Sequence, residues 1–302
     1  MTDSREFYSD EWKESLRSEL IKAFFVNEEN REAIYSKIGE YYMCCAPAYL
    51  YKYYRDDISK LNTIKSNKMW YSAPIEFNDV FDCDISIDKK EIFNSSLSLV
   101  KDKRTVREGS PMWLQLNKTI SEAVKNLQQS FENMKSSMGI ACLSEEYDSL
   151  LMWAHYANNH RGICVEYDLL EINKQLTFSP VPMIYSERKN YLTSIDQIST
   201  DEDTTKVFVE SITTKSPEWS YEKEWRIIRD DVACGSAWSP EKRGALLNMI
   251  SPKSIILGCM TKSEFAEEVR KYCEDCKINL YKMEKDNSLY QLNKVPILQF
   301  NE

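Results

Sequence analysis

Residues 49–72 read YLYKYYRDDISKLNTIKSNKMWYS. The aromatic run Tyr49-Leu50-Tyr51-Lys52-Tyr53-Tyr54 suits a pleated, half-buried surface and predicts a strand. Ile58, Leu61 and Ile64 then recur at helical spacing. Met69-Trp70-Tyr71-Ser72 predicts a second strand, halted by Ala73-Pro74 because proline cannot donate to a ladder. Strand, helix and strand in so short a span point to a mixed architecture.

Upstream, Trp12, Leu16, Leu20, Ile21 and Phe24 lie on one stripe of a helix over 9–26, and Ile34, Ile38 and Tyr42 repeat the pattern over 28–42. Residues 1–46 therefore read as an N-terminal helical extension that packs on the body, self-associates or docks a partner. Downstream, helices are expected at 87–100, 113–137, 148–157, 203–214 and 262–275. Strands are expected at 139–143, 162–167, 181–185, 224–229, 254–258, 278–283 and 290–299. Strands and helices mix without strict alternation, so the fold class is α+β with a mixed central sheet. Residues 47–302 read as one domain, with charged surface insertions at 186–203 and 230–244.

The chain has 302 residues, a net charge of −9 and only 7 glycines. The negative balance disfavours a protein that coats duplex nucleic acid. The glycines stand at 39, 109, 139, 162, 235, 244 and 258. This spacing leaves no Walker loop and no GxGxxG turn. The 9 cysteines are odd in number and irregular in spacing, which speaks against a disulfide framework. With a polar start and no long apolar run, the expectation is reduced thiols in a cytoplasm and no membrane contact. The lone pair Cys273 and Cys276 is too few ligands for a structural zinc site.

Three segments combine polar groups with aromatics. In the first, Trp70 to Asp82, Phe77 and Phe81 anchor a loop while Asn78, Asp79 and Asp82 point elsewhere; a capped turn explains the same residues. The second, Leu151 to Gly162, holds both histidines, with Trp153 and Tyr156 on one helix face. Histidine is the usual proton carrier near neutral pH, which makes His155 a candidate base. In the third, Trp219 to Arg226, a strand would put Glu222, Glu224 and Arg226 on one face. Buried, such charges need partners; exposed, they make a salt-bridged surface.

In order, these segments resemble the bacterial family of domain of unknown function 2971. Its pattern appears here as Lys52-Tyr53, Trp70 to Asp82, Trp153-x-x-Tyr156…Gly162 and Trp219-x-x-Glu222-x-Glu224-x-Arg226, over roughly 49–260. Val80 departs from the proline that the family favours. The layout also resembles mono-ADP-ribosyltransferases of the DNA-modifying toxin type. That resemblance implies NAD as cosubstrate, with Lys52 in place of the usual first-strand histidine or arginine. Tyr71 with Ser72 would flank the nicotinamide, and Glu224 within Glu222-x-Glu224 would complete the site.

The chemistry is compatible with that likeness. Cleavage of the nicotinamide–ribose bond passes through an oxocarbenium-like state that an ionised carboxylate stabilises. Trp70 or Tyr71 would stack the ring, and Lys52, Arg55 or Arg226 would pair the pyrophosphate without a glycine loop or a metal. Tyr53, Asn78, Asp79, Trp153 and Tyr156 complete the expected NAD-binding set. The function expected is a toxin-like or antiviral-defence transferase acting on a nucleic-acid or protein acceptor. Two alternatives are a divalent-metal phosphodiesterase using Asp79, Asp82, Glu222 and Glu224, and a non-catalytic module that binds a nucleotide or a partner.

Overall fold

The structure is a computed structural model that describes residues 11–100, 106–175, 179–230 and 243–300. The chain passes repeatedly between two compact units. It starts in the first unit with α1 (Glu11–Phe25) and α2 (Glu28–Cys44). It enters the second with β1 (Tyr49–Tyr54), α3 (Ile58–Lys65) and β2 (Lys68–Ser72). It returns with β3 (Ser86–Ile87), α4 (Lys89–Ser98) and α5 (Pro111–Ser136). The second unit resumes with β4 (Met138–Ser144), α6 (Leu150–Tyr156), β5 (Ile163–Asp168), α7 (Leu169–Gln175) and β6 (Val181–Pro182). The first unit closes with β7 (Ile184–Tyr185), β8 (Tyr191–Leu192), α8 (Asp201–Thr213) and β9 (Thr214–Lys215). The second takes the remainder: β10 (Glu224–Asp230), β11 (Gly244–Asn248), β12 (Ser254–Leu257), α9 (Ser263–Cys276), β13 (Asn279–Lys285) and β14 (Leu292–Leu298).

The first unit is mainly helical. Ser110 caps α5 by accepting a bond from the Trp113 amide at 3.2 Å, and Pro111 occupies the first turn, where no donor is needed. Thr200 and Asp203 form a capping box on α8, whose first turn is acidic and so complements the helix dipole. Phe131 of α5 stacks on Phe208 of α8 at 6.0 Å. Two short parallel pairs, β3–β8 and β7–β9, complete this unit. The N-terminal helices group here with residues 73–138 and 184–217.

The second unit is built on one ten-stranded sheet in the order β11-β2-β4-β1-β5-β12-β13-β14, with β10 pairing β4 and β6. The sheet is mixed: β12 and β13 run parallel, joined through α9, whereas β1 pairs antiparallel with both β4 and β5. Held on both edges, β1 buries Leu50, Tyr51, Tyr53 and Tyr54 on its two faces. The α+β class with a mixed sheet and N-terminal helices is therefore observed. The sequence reading missed α7 and β11, and the expected strand over 181–185 is divided into β6 and β7. Part of the expected 186–203 insertion is ordered: Ser194 caps a 3-10 turn over Ile195–Ile198, next to β8. Residues 231–242 of the other expected insertion lie outside the described residues.

Candidate functional site

β4 and the entry to β10 bring several charged and polar side chains of the second unit together. The chain arrives through a 3-10 turn, Pro217–Glu222, and Lys223 then adopts a left-handed conformation (φ 40°). β10 begins at Glu224, as the strand expected over 224–229 does, so the single face that a strand through Glu222 would give to Glu222, Glu224 and Arg226 does not form. β4 fastens the switch. Ser144 Oγ donates to the Glu222 carbonyl at 2.7 Å, and the Glu145 amide donates to the Lys223 carbonyl at 3.0 Å.

Within β10, Arg226 grips Glu224 with two bonds, Nε to Oε1 at 2.8 Å and a terminal nitrogen to Oε2 at 3.3 Å. Arg226 is 0% exposed and Glu224 4%. The two bonds fix the carboxylate in one orientation. Lys52 of β1 is half-buried and donates to the Cys142 carbonyl at 2.6 Å. The Cys142 thiol senses all three charges. Burial and then Glu224 push its pKa well above the usual range, against the opposing pull of Arg226 and Lys52. It is therefore a protonated, weakly nucleophilic thiol.

A second group forms around Glu222, which is itself buried. The Tyr156 hydroxyl, at the end of α6, donates to Glu222 Oε1. His155, exposed beside it, places Nδ1 3.2 Å from the Tyr221 hydroxyl. Trp219 and Tyr221 lie ring to ring at 6.2 Å. Lys52, His155, Tyr156, Glu222, Glu224 and Arg226 all belong to the second unit.

Other expected contacts are corrected by burial. Tyr71 is 0% exposed, so its ring cannot stack an incoming ligand; Trp70, 37% exposed, keeps a free flank. Gly244 permits this arrangement, because a Cβ there would lie 2.5 Å from the Trp70 indole. Tyr53 and Trp153 are core residues packed edge to face at 5.2 Å. Their polar atoms are spent on backbone: the Tyr53 hydroxyl on the Glu146 carbonyl at 2.8 Å and the Trp153 indole on the Tyr147 carbonyl at 2.7 Å. Arg226, buried and bound to Glu224, is not presented to a pyrophosphate. Arg55 and Ser72 are respectively exposed and half-buried.

Asn78 and Asp79 belong to the first unit. There Asp79 Oδ1 accepts from the Phe81 amide at 2.9 Å, which is the capped-turn reading. Phe81 is not an inward anchor: it is exposed, with the Lys189 ammonium 4.9 Å from its ring. Asp82 lies buried 3.7 Å from Lys215. The carboxylates named for a phosphodiesterase are thus divided between two units, and two of them are paired with cations. Among the described residues, no group of three His, Cys, Asp or Glu is arranged to hold a metal ion.

Sequence reasoning missed Cys142 and Ser144, because GIACLS reads as an ordinary buried strand. Only the pairing of β4 with its neighbours reveals their place. The eight cysteines among the described residues are all free thiols. No described helix is long and apolar enough to cross a membrane.

No curated protein and no solved structure matches the chain. The Trp70 to Asp82 segment, although it fits the motif pattern, lies outside the one matched span. That span runs from α6 to β10 and contains Tyr156, Glu222, Glu224 and Arg226: residues 152–227 match the family model described as Protein of unknown function (DUF2971).

Proposed function

We propose that the second unit is an ADP-ribosyltransferase-like catalytic body that cleaves the nicotinamide–ribose bond of NAD and transfers ADP-ribose to a protein or nucleic-acid acceptor. The observation that carries this reading is the buried pair of Glu224 and Arg226 beside β4, with the cation Lys52 acting on the same Cys142 thiol. A mixed sheet and a glycine-poor chain support it, because side-chain cations can replace a phosphate loop.

In the proposed reaction the C1′–N bond breaks, and its electron pair stays on the nitrogen of the departing neutral nicotinamide. Glu224 offsets the positive charge that grows on the ribose, and Arg226 keeps that carboxylate oriented. In this reading Glu222, braced by Tyr156, serves the ribose hydroxyls. The acceptor oxygen or nitrogen bonds to C1′ and its proton passes to His155. Trp70 supplies the ring wall in place of Tyr71, and Lys52 and Arg55 the charge for the pyrophosphate. Toxin-like or antiviral-defence roles follow from such chemistry.

One observation favours a second reading. Both carboxylates are covered and already satisfied, as in a non-catalytic module whose ionic pair fixes its shape. Incubation of the full chain with NAD, and with protein, DNA, RNA or water as acceptor, separates the two. Nicotinamide release that falls at least about a hundredfold in Glu224→Gln, a loss typical of removing one stabilising group, is expected. Absence of release by the unaltered chain with every acceptor would sink the transferase.

A further inference from the structure

α6 ends in an unusual turn. Asn158, Asn159 and His160 are consecutive left-handed residues, with φ of 48°, 54° and 64°. Non-glycine residues resist that conformation, and three in succession persist only where the surroundings dictate them. Here they do: the His160 carbonyl accepts from the Met260 amide at 2.9 Å, and the Gly162 carbonyl from the Gly258 amide at 3.0 Å. A Cβ on Gly258 would lie 2.1 Å from the His160 carbonyl oxygen, so the two segments are pressed together.

This turn holds His160 against a cavity of about 590 Å³, walled also by Leu150, Cys259, Met260, Lys285 and Tyr290. His160 Nδ1 is buried without a hydrogen-bond partner, which favours a neutral ring carrying its proton on Nε2. Burial, followed by the charge of Lys285, lowers its pKa. The rim is exposed and mixed: Tyr290, 100% exposed, and Leu289, 60%, stand beside Asn287, Ser288 and Gln291. The one acid of the wall, Asp286, is occupied. It accepts from the Ser288 and Leu289 amides at 2.8 and 2.9 Å, the Ser288 hydroxyl at 2.9 Å and the Asn293 side chain at 3.1 Å. Lys285 makes no ion pair among the described residues.

We infer that this cavity is a binding site for a small planar aromatic anion, its ring taken between His160 and Tyr290 and its charge by Lys285. An exposed tyrosine ring and a neutral imidazole for a flat ring, with one cation for its charge, select that chemistry over a free inorganic ion or an uncharged ring. None of these residues belongs to the cluster around Glu224, so the inference stands apart from the transferase reading.

The chain's 2 histidines make the test direct. In the full chain labelled at histidine Cε1, two imidazole signals appear, assigned with His155→Gln. His155 reports the Glu222 cluster and His160 this cavity. Adenosine 5′-monophosphate, a planar ring with one phosphate, is titrated as the probe, with adenosine and inorganic phosphate as controls. The expected result is a saturable shift of the His160 signal with Kd below about 1 mM. Lys285→Ala and each control should weaken it at least about tenfold, the loss of a charge-assisted contact. Lys285 and Tyr290 are exposed, so Lys285→Ala and Tyr290→Ala retain the fold. An unmoved His160 signal, a shift of His155 alone, equal binding of adenosine, or indifference to Lys285→Ala overturns the proposal.

Discussion

Arg226 is a fully buried guanidinium whose bonds to Glu224 are made inside the sheet unit. Removing one member takes from the other buried charge its bidentate partner, whereas removing both takes out the two charges together. Arg226→Met should therefore cost about 3–5 kcal/mol. The double variant Glu224→Met/Arg226→Met should recover most of it in denaturant unfolding. A double variant no more stable than the single would mean that the pair is not coupled. His160 offers a separate residue-scale test, since its pKa is lowered from 6.5 by burial and by Lys285. The unfolded chain takes up a proton that the folded ring refuses, so stability should fall as pH drops through about 6.5 and level off once the folded ring also protonates. A His160 imidazole titrating at or above the unfolded value would contradict this.

At the scale of elements, the sequence made strands and helices legible where one face is apolar at a clear period, as in β1, α3 and α5. It failed where geometry depends on a single dihedral. Nothing in Tyr221-Glu222-Lys223-Glu224 announces the left-handed Lys223 that divides turn from strand, so the sequence could not tell whether Glu222 shares a face with Glu224. Glu222 and Glu224 drew notice because charge is dense between Trp219 and Arg226, but that both are buried is visible only in the fold. Tyr71 and Trp153 were misjudged because an aromatic reads alike in a core and in a pocket. Another left-handed residue yields a clean prediction. Lys277 ends α9 at φ 55° and ψ 44°, a position that favours glycine. Lys277→Gly should stabilise the chain by up to about 1 kcal/mol, the strain relieved less the entropy of glycine. Thermal unfolding measures it, and a lower Tm would show that the Lys277 side chain does more than end a helix.

For the whole molecule the decisive quantity is a net charge of −9. Such a surface repels polyanions and attracts cationic partners over roughly a Debye length, about 10 Å at 0.1 M salt. If the proposed transfer proceeds, a basic protein acceptor should be modified faster than single-stranded DNA or RNA at low ionic strength. The rate with the basic protein should decline as salt rises from about 50 to 200 mM, because screening removes the long-range attraction. The rate with nucleic acid should rise or stay level over the same range, since there screening removes repulsion. Both slopes follow from initial rates of ADP-ribose incorporation at fixed NAD. A nucleic-acid rate that instead collapses steeply with salt would reveal a local basic groove, built from phosphate contacts, that dominates the overall charge. The acceptor class would then be assigned to nucleic acid, against the protein acceptor that the net charge favours.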